Sequence, residues 1–331
     1  MTITPKIPYT KPASTIQDQL QKLTSRGLAI PNSAVAGHYL KFIGYYRLTG
    51  YGLGFYDRAT KRYAAGRGFQ DLVDHYTFDR ELRVLIMDEI ERVEIAVRSR
   101  IVNYLSLTYG PHWHINAKNF APTFDFAKFT RTVDKEVGRS KEPFIYHYNL
   151  KYDPPPKPPA WMAAECLSFG VWVEVFKGLT RKDSKVIAAE FGLHPDDMSS
   201  FTHSLSVLRN VCAHHARVFD RAHTHAPNVA GKLTGVVPAG DKTFYARAAT
   251  LHFFLNRILP VNHWPQKLSA CFKKHPSVSP VILGFPAGWE SLPFWQATGV
   301  LAASPAPSPR PVSWHATKRP ASQRPRAQQK R

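Results

Sequence analysis

Between Gly68 and Pro111 the chain runs without proline or glycine except at Gly110, and apolar residues recur at helical spacing: Phe69, Leu72, Val73, Tyr76, Leu82, Leu85, Ile86, Ile90, Val93, Val97, Ile101 and Leu105. A stripe of that length predicts one helix of many turns, or two joined near Thr77–Asp79, with other elements packed along it. The far face carries Arg80, Asp88, Glu91, Arg92 and Arg98, which reads as a solvated charged surface. Glu94 lies on the same stretch and is a candidate to support a site on a neighbouring helix. Strand-like alternation is scarce throughout, so the expected fold class is all-α.

The remaining segments fit that class. Ser14-x-x-Gln17 has the form of a capping box opening a helix over 14–26, with Ile16, Leu20 and Leu23 on one face and Gly27 at its end. From Asn32, the spacing of Val35, Tyr39, Phe42 and Tyr46 predicts a second helix reaching the turn Gly50–Gly54, and 55–68 reads as loop or short extended chain. Asp153–Pro159, DPPPKPP, forbids helix and marks a stiff connector. Beyond it, helices are expected over Trp161–Lys177, Lys182–Phe191, Asp196–Phe219 and Phe244–Leu259. The expected organisation is a helical extension over 1–68, a helical domain over 69–303 that includes the connector at 153–159, and a disordered, basic, proline-rich tail over 304–331.

Charge narrows the partners. Lys and Arg outnumber Asp and Glu by 44 to 24, a net charge of +20, which favours a polyanion such as nucleic acid. The tail contributes seven of these cations and no acid; Arg310, Lys318, Arg319, Arg324 and Arg326 are candidate RNA phosphate contacts. The rest of the chain stays strongly positive without them. No basic amphipathic helix or lipidation signal points to a membrane, no run approaches the roughly 18 apolar residues of a span, and the start MTITPKIPYTKP lacks a signal-peptide core. Three cysteines, Cys166, Cys212 and Cys271, form no Cys-x-x-Cys pair, which fits a reducing, cytoplasmic setting. His112-x-His114 and His223-x-His225 lack a third ligand at useful spacing, so neither a metal nor another cofactor is expected. Walker, dinucleotide and nucleophile-elbow motifs are absent from the sequence.

The segment with chemical content is FTHSLSVLRNVCAHHARVFDR, 201–221. On an ideal helix Phe201, Leu205, Leu208, Val211, Cys212, His215 and Phe219 form an apolar arc, with His203, Ser206, Asn210, His214 and Arg217 opposite and Arg209 between. A merely solvated face favours Lys and Glu; this one holds groups that move protons and stabilise phosphate. His214 is the candidate general acid or base, Arg209 and Asn210 complete a catalytic set, and His203 and Arg217 are candidate supporting residues. Arg209 and His214 stand about 140° apart around an ideal helix and roughly 7.5 Å along it. Either the helix is distorted between them, or two copies of the motif meet across a homodimer.

The string LRNVCAHHARVFDR at 208–221 resembles the Arg-Asn-x-x-Ala-His-His signature of Abi-like proteins, the AbiD/AbiF type of bacterial phage-defence factor. FIGYYRLTGY at 42–51, HYTFDRELRVLIMDEIERVEIAVRSRI at 75–101 and PAWMAAECLSFGVWVEVFKGL at 159–179 agree with the same family, in matching order over roughly 15 to 260. That family is similar to HEPN domains, whose Arg-x(4–6)-His motif appears here as Arg209-x4-His214. The resemblance implies a HEPN-like helical bundle with additional N-terminal and peripheral helices, dimerisation, and metal-independent endoribonuclease activity through attack of the RNA 2′-hydroxyl. It carries Arg209, Asn210 and His214 over as functional positions, and leaves open an antitoxin or regulatory RNA as a partner. The connector and tail lie outside the expected family pattern. The alternative is a non-catalytic HEPN-like module that binds or senses RNA.

Overall fold

The computed structural model describes residues 8–229 and 231–300. The tail over 304–331, with its five candidate phosphate contacts, lies outside the described residues. The chain is mainly α: α1 (Ile16–Ser25), α2 (Ser33–Phe42), α3 (Tyr45–Thr49), α4 (Phe69–Tyr109), α5 (Phe126–Arg139), α6 (Pro143–Lys151), α7 (Ala160–Ala163), α8 (Phe169–Lys177), α9 (Arg181–Glu190), α10 (Pro195–Ala213), α11 (Phe244–Ile258), α12 (Trp264–Lys274) and α13 (Pro293–Gln296). Among the described residues the only sheet is a two-stranded antiparallel ribbon, β1 (Tyr56–Asp57) and β2 (Arg62–Tyr63), within the segment expected to be loop or extended.

The long apolar stripe forms one helix. α4 spans 41 residues, about 60 Å, without interruption at Thr77–Asp79. No proline or glycine breaks its interior; Gly68 and Gly110 bound it, the latter at φ +91°, and Asp71 Oδ2 accepts the Gly68 amide at 2.7 Å to close the first turn. Its stripe from Phe78 through Leu82, Ile86, Ile90, Val93 and Val97 to Leu105 is buried, with α8, α9, α10, α11 and α12 packed around it. A second cluster joins α1 to α3 to the first turns of α4: Leu23, Leu28, Leu40 and Leu48 pack with Phe69, Leu72 and Val73.

Several local expectations are corrected. The first cap is Thr15, one residue later than Ser14: its hydroxyl accepts the Asp18 amide at 3.1 Å while Asp18 Oδ2 accepts the Thr15 amide at 2.9 Å. The helix expected from Asn32 to Gly50 divides at Gly44, whose φ of +94° suits glycine. Its buried face is Ala36, Leu40 and Leu48, leaving Val35, Phe42 and Tyr46 exposed, because the small Ala36 side lies against α1. The stretch Trp161–Lys177 divides too: Leu167 is extended at φ −104°, ψ 140°, and Ser168, a residue type suited to starting helices, opens α8. The proline-rich connector runs without helix or strand between α6 and α7, held by Tyr148 OH on the Pro155 carbonyl at 2.8 Å and by the Ala160 amide on the Pro111 carbonyl at 2.8 Å.

Candidate active site at the end of helix α10

α10 starts with Pro195 in its first turn and with Asp196 and Asp197 beside the free amides, an arrangement the helix dipole favours. It buries Met198, Phe201, Leu205, Leu208 and Cys212 against α4, α8, α9 and α11. This is the apolar arc read from the sequence, up to Cys212, and it belongs to the core of the chain itself. Burial pushes the Cys212 thiol up to about 12, so it is no nucleophile.

The helix ends sooner than Phe219. His214 caps it, its amide donating to the Asn210 carbonyl at 3.0 Å. His215 then takes φ +55°; its amide donates to the Cys212 carbonyl at 3.0 Å, and that of Ala216 donates to the Val211 carbonyl at 2.9 Å. This is a Schellman termination, with histidine in the left-handed position where glycine is usual. His215 is exposed, so its assignment to the apolar arc is overturned, as is the placing of Arg217 on the polar arc of a continuous helix.

Three groups hold the chain after the helix. Arg47 Nη1 donates to the His215 carbonyl at 2.7 Å, and Arg217 Nη1 donates to the Gly50 carbonyl. Asp79, fully buried on α4, accepts the Val218 amide at 3.0 Å and the Phe219 amide at 2.7 Å on Oδ1. Its other oxygen accepts Tyr51 OH at 2.7 Å and Arg83. Burial raises the Asp79 carboxyl, opposed by Arg83, Tyr51 and the two amides. The Phe219 ring packs 4.5 Å from that of His75. Arg47, Asp79 and Arg83 escaped the sequence reading. A signal for two of them existed: Asp79 and Arg83 sit four residues apart within the apolar stripe of α4, where an unpaired charge is costly.

Of the candidate residues, Arg209 and Glu94 come together. Arg209 Nε lies 3.7 Å from Glu94 Oε2 and has no hydrogen-bond partner. Burial raises the Glu94 carboxyl, with Arg209 and Arg98 opposing; Arg98 in turn pairs with Glu165 at 2.9 Å. Asn210 and His214 are exposed. α10 is regular from Arg209 to Ala213, so His214 remains about 7.5 Å further along the axis. His203 is not brought to this end: eleven residues of helix put it about 16 Å away. Its ring instead lies 4.6 Å from that of His225, and burial together with Lys177 and His225 holds its imidazole below the ordinary value. Among the described residues, no three His, Cys, Asp or Glu side chains are grouped to hold a metal ion, and His223 is buried away from its neighbour His225, which is exposed.

No curated protein and no solved structure matches the chain. A family model described as Abi-like protein matches residues 38–220, from α2 to just past the Asp79-bound segment. That span is narrower than 15–260 and takes in the connector at 153–159, which was expected outside the family pattern. It covers more than half of the chain and contains Asp79, Glu94 and the whole Arg209–His214 string. The chain belongs to the Abi-like protein family.

Proposed function

We propose that this abortive-infection protein acts as a HEPN-type, metal-independent endoribonuclease in the cytoplasm. The observation that carries this reading is the state of the Arg209-Asn210-x3-His214 string. It occupies the end of a packed helix, with the imidazole exposed and the Arg209 side chain about a third exposed beside Glu94. RNA brings its own nucleophile, so the protein has only to move protons and stabilise charge.

In this chemistry a base removes the proton of the 2′-hydroxyl and the 2′-oxygen attacks the adjacent phosphorus. The bond to the 5′-oxygen breaks as an acid protonates it, giving a 2′,3′-cyclic phosphate and a 5′-hydroxyl. His214 serves as base or acid, Arg209 meets the negative charge growing on the phosphate, and Asn210 orients His214. Glu94 keeps the Arg209 guanidinium in place from α4. A homodimer supplies the second histidine, so that one copy acts as base and the other as acid.

Incubation of purified protein with total bacterial RNA, beside a His214→Ala control, tests this. Fragmentation by the wild type alone supports the reading. Intact RNA in both samples, with RNA still bound, makes the protein a binding module instead.

A further inference from the structure

The segment after His214 does more than leave the helix: it forms one wall of a cleft whose other walls come from the N-terminal helices and the β1–β2 ribbon. The cleft has a volume of about 770 Å³, and its cations are Lys11, Lys22, Arg26, Arg47, Arg217 and Arg221. No Asp or Glu lines it, and none of the six is in an ion pair among the described residues. Elsewhere this chain pairs its charges readily, as Arg67 does with Asp71 and Lys274 with Glu81. Six uncompensated cations around one cavity repel one another, and the cost is removed by a polyanion.

The same walls carry aromatic faces. Lys22 Nζ lies 5.6 Å from the centre of the Tyr45 ring and the Arg26 guanidinium 5.7 Å from that of Tyr56. Tyr46, also in the lining, is 94% exposed. Arg47 and Arg217 each spend one donor on a backbone carbonyl, which fixes the arm while leaving the remaining guanidinium donors for a ligand.

We infer that this cleft binds a single-stranded RNA segment, with phosphates on the arginines and lysines and a base stacked on Tyr46. Cations beside exposed aromatic faces are the chemistry that holds unpaired nucleic acid, since bases inside a duplex offer no free face to a tyrosine. The position argues for a strand passing on from the proposed cleavage site, and in that respect the inference rests on the ribonuclease reading: His215 lines the cleft, and its Cα is about 3.8 Å from that of His214. Cations spread over residues 11–26, Arg47 and the 217–221 segment suit several successive phosphates better than the single phosphate of a mononucleotide. The N-terminal region thereby becomes the substrate platform of the helix that carries the motif.

Equilibrium binding of a fluorescent 12-nucleotide single-stranded RNA to the full-length His214→Ala chain, measured by anisotropy over a salt series, tests the cleft without turnover. Lys22→Ala combined with Arg26→Ala is expected to weaken binding and to lower the slope of log affinity against log salt by roughly 1.4, about 0.7 for each lost phosphate contact. Tyr46→Ala, at an exposed position outside the core, is expected to weaken binding roughly tenfold without changing that slope. The corresponding duplex is expected to bind more weakly, and AMP is expected to compete poorly. Unchanged affinity and slope in both variants, duplex binding as tight as that of the single strand, or competition by AMP at the concentration of the oligomer would each overturn the inference. Cleavage that persists undiminished in variants with unchanged binding removes the cleft and leaves the ribonuclease reading standing. Cleft-dependent binding by a wild-type chain that cuts nothing does the reverse.

Discussion

The amide of Phe219 donates a 2.7 Å hydrogen bond to the carboxylate of Asp79, 140 residues earlier in the chain. With the neighbouring Val218 amide on the same oxygen, this ties the segment leaving the motif to the N-terminal third of the central helix, while Tyr51 on the other oxygen brings in the N-terminal region. One buried carboxylate thus sets the relative position of the motif's exit, α4 and the N-terminal wall of the cleft.

Removing that carboxylate leaves Arg83 buried without its partner and two amides without an acceptor. Asp79→Ala is expected to lower stability by about 3–5 kcal/mol, the usual cost of breaking a buried pair. Denaturant unfolding measures the loss. A change below about 1 kcal/mol, the scale of an exposed pair, would show that Asp79 does not hold the segment.

The Arg209–Glu94 pair makes a different prediction, because both groups are partly exposed and contribute little to folding. Arg209→Ala is expected to lower kcat on a defined RNA by about 100-fold or more, with the melting temperature nearly unchanged. Arg209→Lys is expected to rescue poorly, since an ammonium lacks the planar fork. Glu94→Gln is expected to cost roughly tenfold in kcat with little change in KM, as fits a residue that positions Arg209. Equal losses of stability and activity in all three variants would make the pair structural.

Three buried histidines set an acid limit. Burial lowers His114 from 6.5 to about 4, His223 to about 3 and His252 to about 4. His252 shows why: its Nε2 lies 2.9 Å from the Phe294 carbonyl, and its Nδ1 lies 2.9 Å from the Asn262 amide nitrogen, so a neutral ring satisfies both and a second ring proton would meet a donor. Below pH 6.5 the unfolded chain takes up protons that the folded chain refuses until its own lower values are reached. Stability is therefore expected to be full above about pH 7 and to fall as pH drops through 6.5 toward 4, each residue costing on the order of 3 kcal/mol at the end of that range. Between pH 6.5 and 5 these three rings dominate the fall; His203 adds to it, and the Asp79 and Glu94 carboxyls, raised by burial, act in the opposite direction. Unfolding free energies that stay flat across that window would contradict the burial of the three histidines as neutral rings.

What could be read from the sequence was what a helix repeats. The α4 stripe announced itself because apolar residues recur over ten turns with no breaker, and the buried side of α10 was legible up to Cys212 for the same reason. The end of α10 was not, because a histidine stands at the left-handed position where glycine ordinarily gives the signal, and what fixes it there is Arg47, 168 residues away. Arg209, Asn210 and His214 were nameable from their residue types. Glu94 was nameable only as a candidate on the packed helix, since the contact depends on the relative rotation of α4 and α10. The cleft lay beyond reach altogether: its cations come from 11–47 and from 217–221, and no local pattern links the two.

The termini left on cleaved RNA test the central claim most directly. Purified wild-type protein is incubated with a single-stranded RNA in excess chelator, and the new ends are mapped beside a His214→Ala control. The proposed chemistry predicts 2′,3′-cyclic phosphate and 5′-hydroxyl ends with the wild type and uncut RNA with the variant. Cleavage that disappears in chelator and returns with a divalent ion, leaving 3′-hydroxyl and 5′-phosphate ends, would contradict it.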